Sequence, residues 1–173
     1  MIFLDTCVWI ELLGVRTPVQ AHEILQAKAA SELMERKLGQ DESIVTCKEQ
    51  LIEVVTAIEK VMMRSVNRER KEKNLQGVGN IKEFRKLTEF QETKQLCKMV
   101  IDDVSHFAEI SHIGIYNIED IIQRLDLADI NDCLYYDYCM KEKIDFYTFD
   151  WELGQLGMNN YLHRFNADEN KWV

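Results

Sequence analysis

Five acidic residues stand where their carboxylates can act together. Asp5 and Asp150 each follow a short apolar run, Met1–Leu4 and Ile144–Phe149. Asp129 and Asp132 lie three apart at the start of an apolar-striped segment, and Glu53 sits between Ile52 and Val54. Strand ends in an α/β sheet share one edge, so Asp5 and Asp150 are expected to meet there. Asp129 and Asp132 share a helix face at the positive end of its dipole. Carboxylates gathered from separate elements repel one another unless a cation neutralises them or some bind protons. Mg²⁺ and Mn²⁺ prefer oxygen ligands and retain bound water. Two such ions roughly 4 Å apart activate a water and stabilise the leaving oxygen of a phosphodiester. Taken singly, the residues are ordinary: an Asp after a strand, or Asp129 at a helix start, can be a cap, and Glu53 alone a solvated helix residue. Their recurrence in one short chain carries the reading.

The surrounding pattern supplies the elements. Met1–Leu4 reads as a strand and Thr6–Leu13 as a helix closed by Gly14. After Pro18, residues 19–38 carry Ala21, Ile24, Leu25, Ala29, Leu33 and Leu38 at amphipathic spacing, with Gly39 beyond. Ser43–Thr46 is β-branched and leads into Leu51, Val54, Val55, Ile58 and Val61 at helical spacing. Residues 64–109 read as two helices forming a basic arm or hairpin, broken near Gly77-Val-Gly79. Ile113–Tyr116 is a candidate strand, 118–125 and 128–141 candidate helices, and 144–149 the last strand assigned. Alternation of this kind predicts an α/β sandwich with a mainly parallel sheet, in one domain over 1–173.

An apolar fraction of 46% and a charged fraction of 29% belong to a globular chain. No apolar run approaches the ~18–20 residues of a membrane span, and the start lacks a signal-peptide pattern, so a cytoplasmic protein without a membrane partner is expected. Five cysteines without a C-x-x-C pair read as reduced core residues. The net charge is −9, but residues 64–95 hold nine basic side chains against five acidic ones. Arg64, Arg68, Arg70, Lys71 and Lys73 are therefore candidate RNA-binding residues, a mixed solvated face being the alternative. His22, His106, His112 and His163 show no ligand spacing, and there is no phosphate-binding glycine loop. Tyr135, Tyr136, Tyr138, Phe146 and Tyr147 read as core and wall, and Trp151 as packing.

Four stretches, in order, resemble a known family: IFLDTCVWIELL over 2–13, LIEV over 51–54, INDCL over 130–134 and FYTFD over 146–150, with Asp132 eighteen residues before Asp150. The chain resembles the PIN domain, and within it the VapC-like toxin ribonucleases. That resemblance implies a three-layer α/β/α sandwich and a Mg²⁺- or Mn²⁺-dependent endoribonuclease. It implies Asp5, Glu53, Asp132 and Asp150 as catalytic, metal-binding acids, with Thr6 and Thr148 as polar supports; Asp129 is an extra acid able to supplement Asp132. It further implies an RNA substrate, a small antitoxin partner and a homodimer. Position 6 is Thr where the family often has Asn, and the basic helical insertion at about 64–109 is longer than in a minimal toxin. Two other readings compete. A haloacid-dehalogenase-type phosphatase also places an Asp after its first strand but wants an acid two residues on, where Cys7 stands. A PIN-like RNA- or protein-binding module without catalysis keeps the fold but not the activity.

Overall fold

The computed structural model describes residues 1–157 and 159–173. In chain order the elements are β1 (Ile2–Leu4), α1 (Thr6–Leu12), α2 (Ala21–Gly39), β2 (Ile44–Cys47), α3 (Lys48–Glu72), α4 (Ile81–Phe84), α5 (Phe90–Phe107) and β3 (Ala108–Ser111). They continue as α6 (Ile118–Ile122), α7 (Ile130–Glu142), β4 (Asp145–Thr148), a 3-10 turn (Glu152–Leu156), β5 (Leu162–Asn166) and β6 (Lys171–Trp172). The strands form one sheet in the order β3-β2-β1-β4-β5-β6. All pairings are parallel except β5 with β6.

Alternation along the strands divides the core into two layers. Ile2, Leu4, Ile44 and Tyr147 face a cluster built by α1, α2, α3 and α5, around Trp9, Leu33, Ile58 and Val104. Phe3, Val45 and Phe146 face the opposite way, against Ile121 of α6 and Tyr135, Tyr138 and Cys139 of α7. Side chains on successive strand residues point to opposite faces, so strands covered on both sides read as continuous apolar runs. The result is the three-layer α/β/α sandwich with a mainly parallel sheet. Among the described residues no helix is long and apolar enough to cross a membrane.

The chain builds outward from β1 in both directions, to β2 and β3 on one side and to β4 and β5 on the other. This switch point opens a crevice beyond the carboxyl ends of β1 and β4. Gly14, at φ +61°, ends α1 in the left-handed conformation that lacks a steric penalty only in glycine.

Three sequence expectations need revision. The third strand is Ala108–Ser111, not Ile113–Tyr116; residues 113–116 are irregular, with Gly114 at φ +81° and Ile115 almost wholly exposed. At this sheet edge, pairing of Ala108 with Ile44 sets the strand, and apolarity does not. Residues 64–72 are the last turns of α3 itself, so the hairpin arises from a long helix returning through α4 and α5. Its hinge is sealed by a bidentate Arg85–Glu59 pair at 2.7 and 2.6 Å and by Phe84 against Phe90. The strands β5 and β6 had no counterpart in the sequence pattern.

Candidate functional site

Asp5 follows β1 directly and caps α1, its Oδ1 accepting the Thr6 amide at 2.6 Å. Its Oδ2 accepts the Thr148 hydroxyl at 2.5 Å and the Cys7 thiol at 3.1 Å. Asp5 is 4% exposed, and burial raises its carboxyl above the usual range while these three donors pull it back. Thr148, at the end of β4 and fully buried, also accepts the Asp150 amide at 2.9 Å. One hydroxyl thus links the acids that follow β1 and β4. Asp150 in turn accepts the Glu152 amide at 2.7 Å, which starts the 3-10 turn.

Glu53 reaches the same place from α3. The fully buried Gln50, one turn earlier, donates to the Leu4 carbonyl at 2.7 Å and accepts the Thr46 hydroxyl at 2.7 Å. This clasp fixes the start of α3 against the last residue of β1, and Glu53 lies beside Asp5 as a consequence. Burial first, and the charges of Asp5 and Asp129 next, push the Glu53 carboxyl up to about 7. The Thr6 and Tyr135 hydroxyls favour its charged form without reaching hydrogen-bond geometry. Among the described residues, Glu53 Oε2, Thr6 Oγ1 and Tyr135 Oη are all buried without a hydrogen-bond partner.

Asp129 is the cap of α7, accepting the amides of Asn131 at 3.0 Å and Asp132 at 3.1 Å. It holds Asp132 in the first turn of that helix. Asp132 is driven up to about 8 by burial and by the charges of Asp5, Asp129, Glu53 and Asp150. An acid so displaced by four like charges marks a concentrated negative field and is a functional-site signal.

Asp5, Thr6, Glu53, Asp129, Asp132 and Asp150 line one cleft of about 420 Å³, with Thr148 behind its floor. Every donor is an oxygen, which suits a hard divalent cation. The orphaned Glu53 Oε2 and the displaced Asp132 both lack the counter-charge such an ion brings. Among the described residues, no three acidic, His or Cys side chains are drawn together closely enough to hold one.

The basic candidates separate. Arg64 lines the cleft, whereas Arg68 and Lys71 on α3 and Lys73 at its C-cap are exposed beyond it. Arg70 is committed to the hairpin, donating to the Gln76 carbonyl at 2.8 Å and pairing with Glu89 at 3.6 Å. Sequence reasoning missed Lys60, Arg16, Glu11, Gln26 and Cys7, which also line the cleft. Lys60 was accessible from spacing, seven residues after Glu53 and so on the same helix face. Arg16 was not, because its position depends on a tertiary ion-pair network with Glu11 and Glu23. All five cysteines are free; Cys47, Cys133 and Cys139 are core residues as expected. Of the aromatics, Tyr135, Tyr138, Phe146 and Tyr147 are buried, and Trp151 donates to the Phe165 carbonyl at 2.9 Å.

Among known proteins, the family model described as the PIN domain matches residues 2–157. No curated protein and no solved structure matches the chain.

Proposed function

The chain belongs to the PIN-domain family, a nuclease-type fold, and from that premise we propose that it is a metal-dependent endoribonuclease acting as the toxin of a toxin–antitoxin pair. The observation that carries the reading is the convergence of acids from β1, α3, α7 and β4 on one cleft at the sheet's switch point. PIN domains typically use divalent metal ions. Asp5, Glu53, Asp132 and Asp150 are the residues that would hold Mg²⁺ or Mn²⁺, with Asp129 supplementing Asp132. The bound ion supplies Lewis-acid stabilisation of a phosphoryl oxygen and lowers the pKa of attacking water.

The chain's own residues set up that reaction. Thr148 orients Asp5 and fixes the backbone of Asp150, so the two acids are tied to each other through one hydroxyl. Gln50 sets the depth of Glu53. Burial and mutual repulsion raise the Glu53 and Asp132 carboxyls, so positive charge entering the cleft would favour their ionised forms. Arg64 and Lys60, on the α3 wall, offset phosphate charge beside the acids. A small antitoxin with a basic segment suits the negative cleft, and a homodimer accords with the toxin reading.

Labelled RNA incubated with Mg²⁺, with Mn²⁺ and with EDTA tests the proposal. Cleavage confined to the metal-containing samples and abolished by Asp5→Asn supports it. Cleavage in EDTA, or an active Asp5→Asn protein, overturns it. Binding without cleavage under every condition favours the non-catalytic module.

A further inference from the structure

The long helix α3 carries its cations in two sets that the sequence alone runs together. Lys60, Arg64, Arg68 and Lys71 stand seven, eleven, fifteen and eighteen residues after Glu53. At 3.6 residues per turn all four fall within about 60° of the Glu53 direction on the helix. Arg70 and Lys73 point about 100° and 160° away on the same count. The structure bears out the separation where it can be read: Lys60 and Arg64 line the acid cleft, while Arg70 is tied to Gln76 and Glu89 in the hairpin. The opposite face of α3 is accounted for by Val54, Ile58 and Val66, which are buried.

The four stripe cations are exposed, and among the described residues none of their side chains makes a hydrogen bond or ion pair. Long cations without partners, aligned on one face, are an electrostatic footprint for a phosphate backbone. With a rise of 1.5 Å per residue they run from about 10 to about 27 Å beyond Glu53, successive cations being about 4.5–6 Å apart along the axis. That interval is comparable with the spacing of neighbouring phosphates in an extended strand.

We propose that Lys60, Arg64, Arg68 and Lys71 form a phosphate track along α3 that leads a single RNA strand into, or away from, the acid cleft. The track deepens the endoribonuclease reading and rests on it: the acids repel the backbone at the point of chemistry, and the track holds the flanking nucleotides against that repulsion.

The test is fluorescence-anisotropy titration of labelled single-stranded RNA in EDTA over a range of salt, so that binding is read without cleavage. Each of Lys60→Ala, Arg64→Ala, Arg68→Ala and Lys71→Ala weakens binding and lowers the slope of log K against log salt by about 0.7, the value for one phosphate contact on a single strand. The fourfold variant loses about 3 in slope. Lys73→Ala and Lys94→Ala remove the same charge from exposed positions off the stripe and leave the slope unchanged. Equal losses in stripe and control variants, no loss in the stripe variants, or no RNA binding by the wild-type protein would each overturn the track. A wild-type protein that shows the stripe pattern yet cuts nothing with Mg²⁺ or Mn²⁺ keeps the track and refutes the nuclease. One that cuts RNA without the stripe pattern does the reverse. Thermal melts of each variant confirm folding, since all six positions are exposed, five of them in helices and Lys73 at the C-cap of α3.

Discussion

Thr148 donates a 2.5 Å hydrogen bond to Asp5 across a sequence separation of 143 residues, and the same hydroxyl accepts the Asp150 amide. A single atom therefore sets the relative position of two acids supplied by adjacent parallel strands. Thr148→Val is isosteric but leaves Asp5 Oδ2 and the Asp150 amide short of a partner. We expect a loss of about 1–3 kcal/mol in stability and a fall of about 10–100-fold in metal affinity or cleavage. Thr148→Ser restores most of both. Unchanged cleavage in the valine variant, measured with a urea melt on the same sample, contradicts this role.

Gln50 links three elements that otherwise only touch. Gln50→Leu keeps the volume but strands the Leu4 carbonyl and the Thr46 hydroxyl in the interior, at a cost of about 2–4 kcal/mol for two buried groups. Because Glu53 lies one turn later, RNA cleavage falls too, whereas the salt slope of RNA binding stays. A variant as stable and active as the wild type would show that α3 is positioned by its apolar face alone.

The pH dependence of stability has a definite sign. Asp132 and Glu53 are held at about 8 and about 7 in the folded protein, above their ordinary 3.8 and 4.5. A raised carboxyl pKa means that the folded state binds more protons than the unfolded one between those limits, so stability falls as pH rises from about 4 to about 8. Asp132→Asn removes the larger part of this slope and raises Tm at pH 8 in EDTA. Saturating Mn²⁺ flattens the slope in the wild-type protein, because the ion replaces the protons. A melting temperature that rises through this window in EDTA contradicts the crowding of the acids.

Tyr135 is fully buried with an unpartnered hydroxyl beside Glu53. Tyr135→Phe removes a polar atom that makes no hydrogen bond among the described residues, so the metal-free fold is expected to be as stable as the wild type or slightly more so. If the hydroxyl serves the loaded site, Mn²⁺ affinity drops by about 10-fold in the same variant. A variant destabilised by more than about 1 kcal/mol would instead assign the hydroxyl to the fold.

The strand–acid junctions were legible in the sequence because two local rules coincide there: an apolar run sets a buried strand, and a terminal Asp caps the next turn of chain. Asp5 at the start of α1 and Asp129 at the start of α7 satisfy both capping and cleft geometry, so the bland reading and the functional one are true of the same residues. The β3 position was not legible. Ile113–Tyr116 has the more strand-like composition, yet parallel pairing with β2 selects Ala108–Ser111, whose middle residues are exposed at the sheet edge. The strand β6 has only two residues, and β5 lies toward the other edge with Leu162 and Phe165 buried without regular alternation. The hairpin was visible as two helices but not as an extension of α3, although neither glycine nor proline separates Glu53 from Glu72. Continuity of that helix is what carries the basic residues away from the acid cluster on a fixed face.

The proposed cation site requires Asp5, Glu53, Asp132 and Asp150, supplied by four elements, to be drawn closer together by the ion they bind. Mn²⁺ titration monitored by electron paramagnetic resonance tests it directly, with the wild-type protein beside Asp5→Asn and Asp132→Asn. The expected result is saturable binding by the wild type that tightens as pH rises from 6 to 8, releases protons, and is lost or weakened by at least about 10-fold in both variants. Binding that is absent in the wild type, or equally tight in both variants, would contradict it.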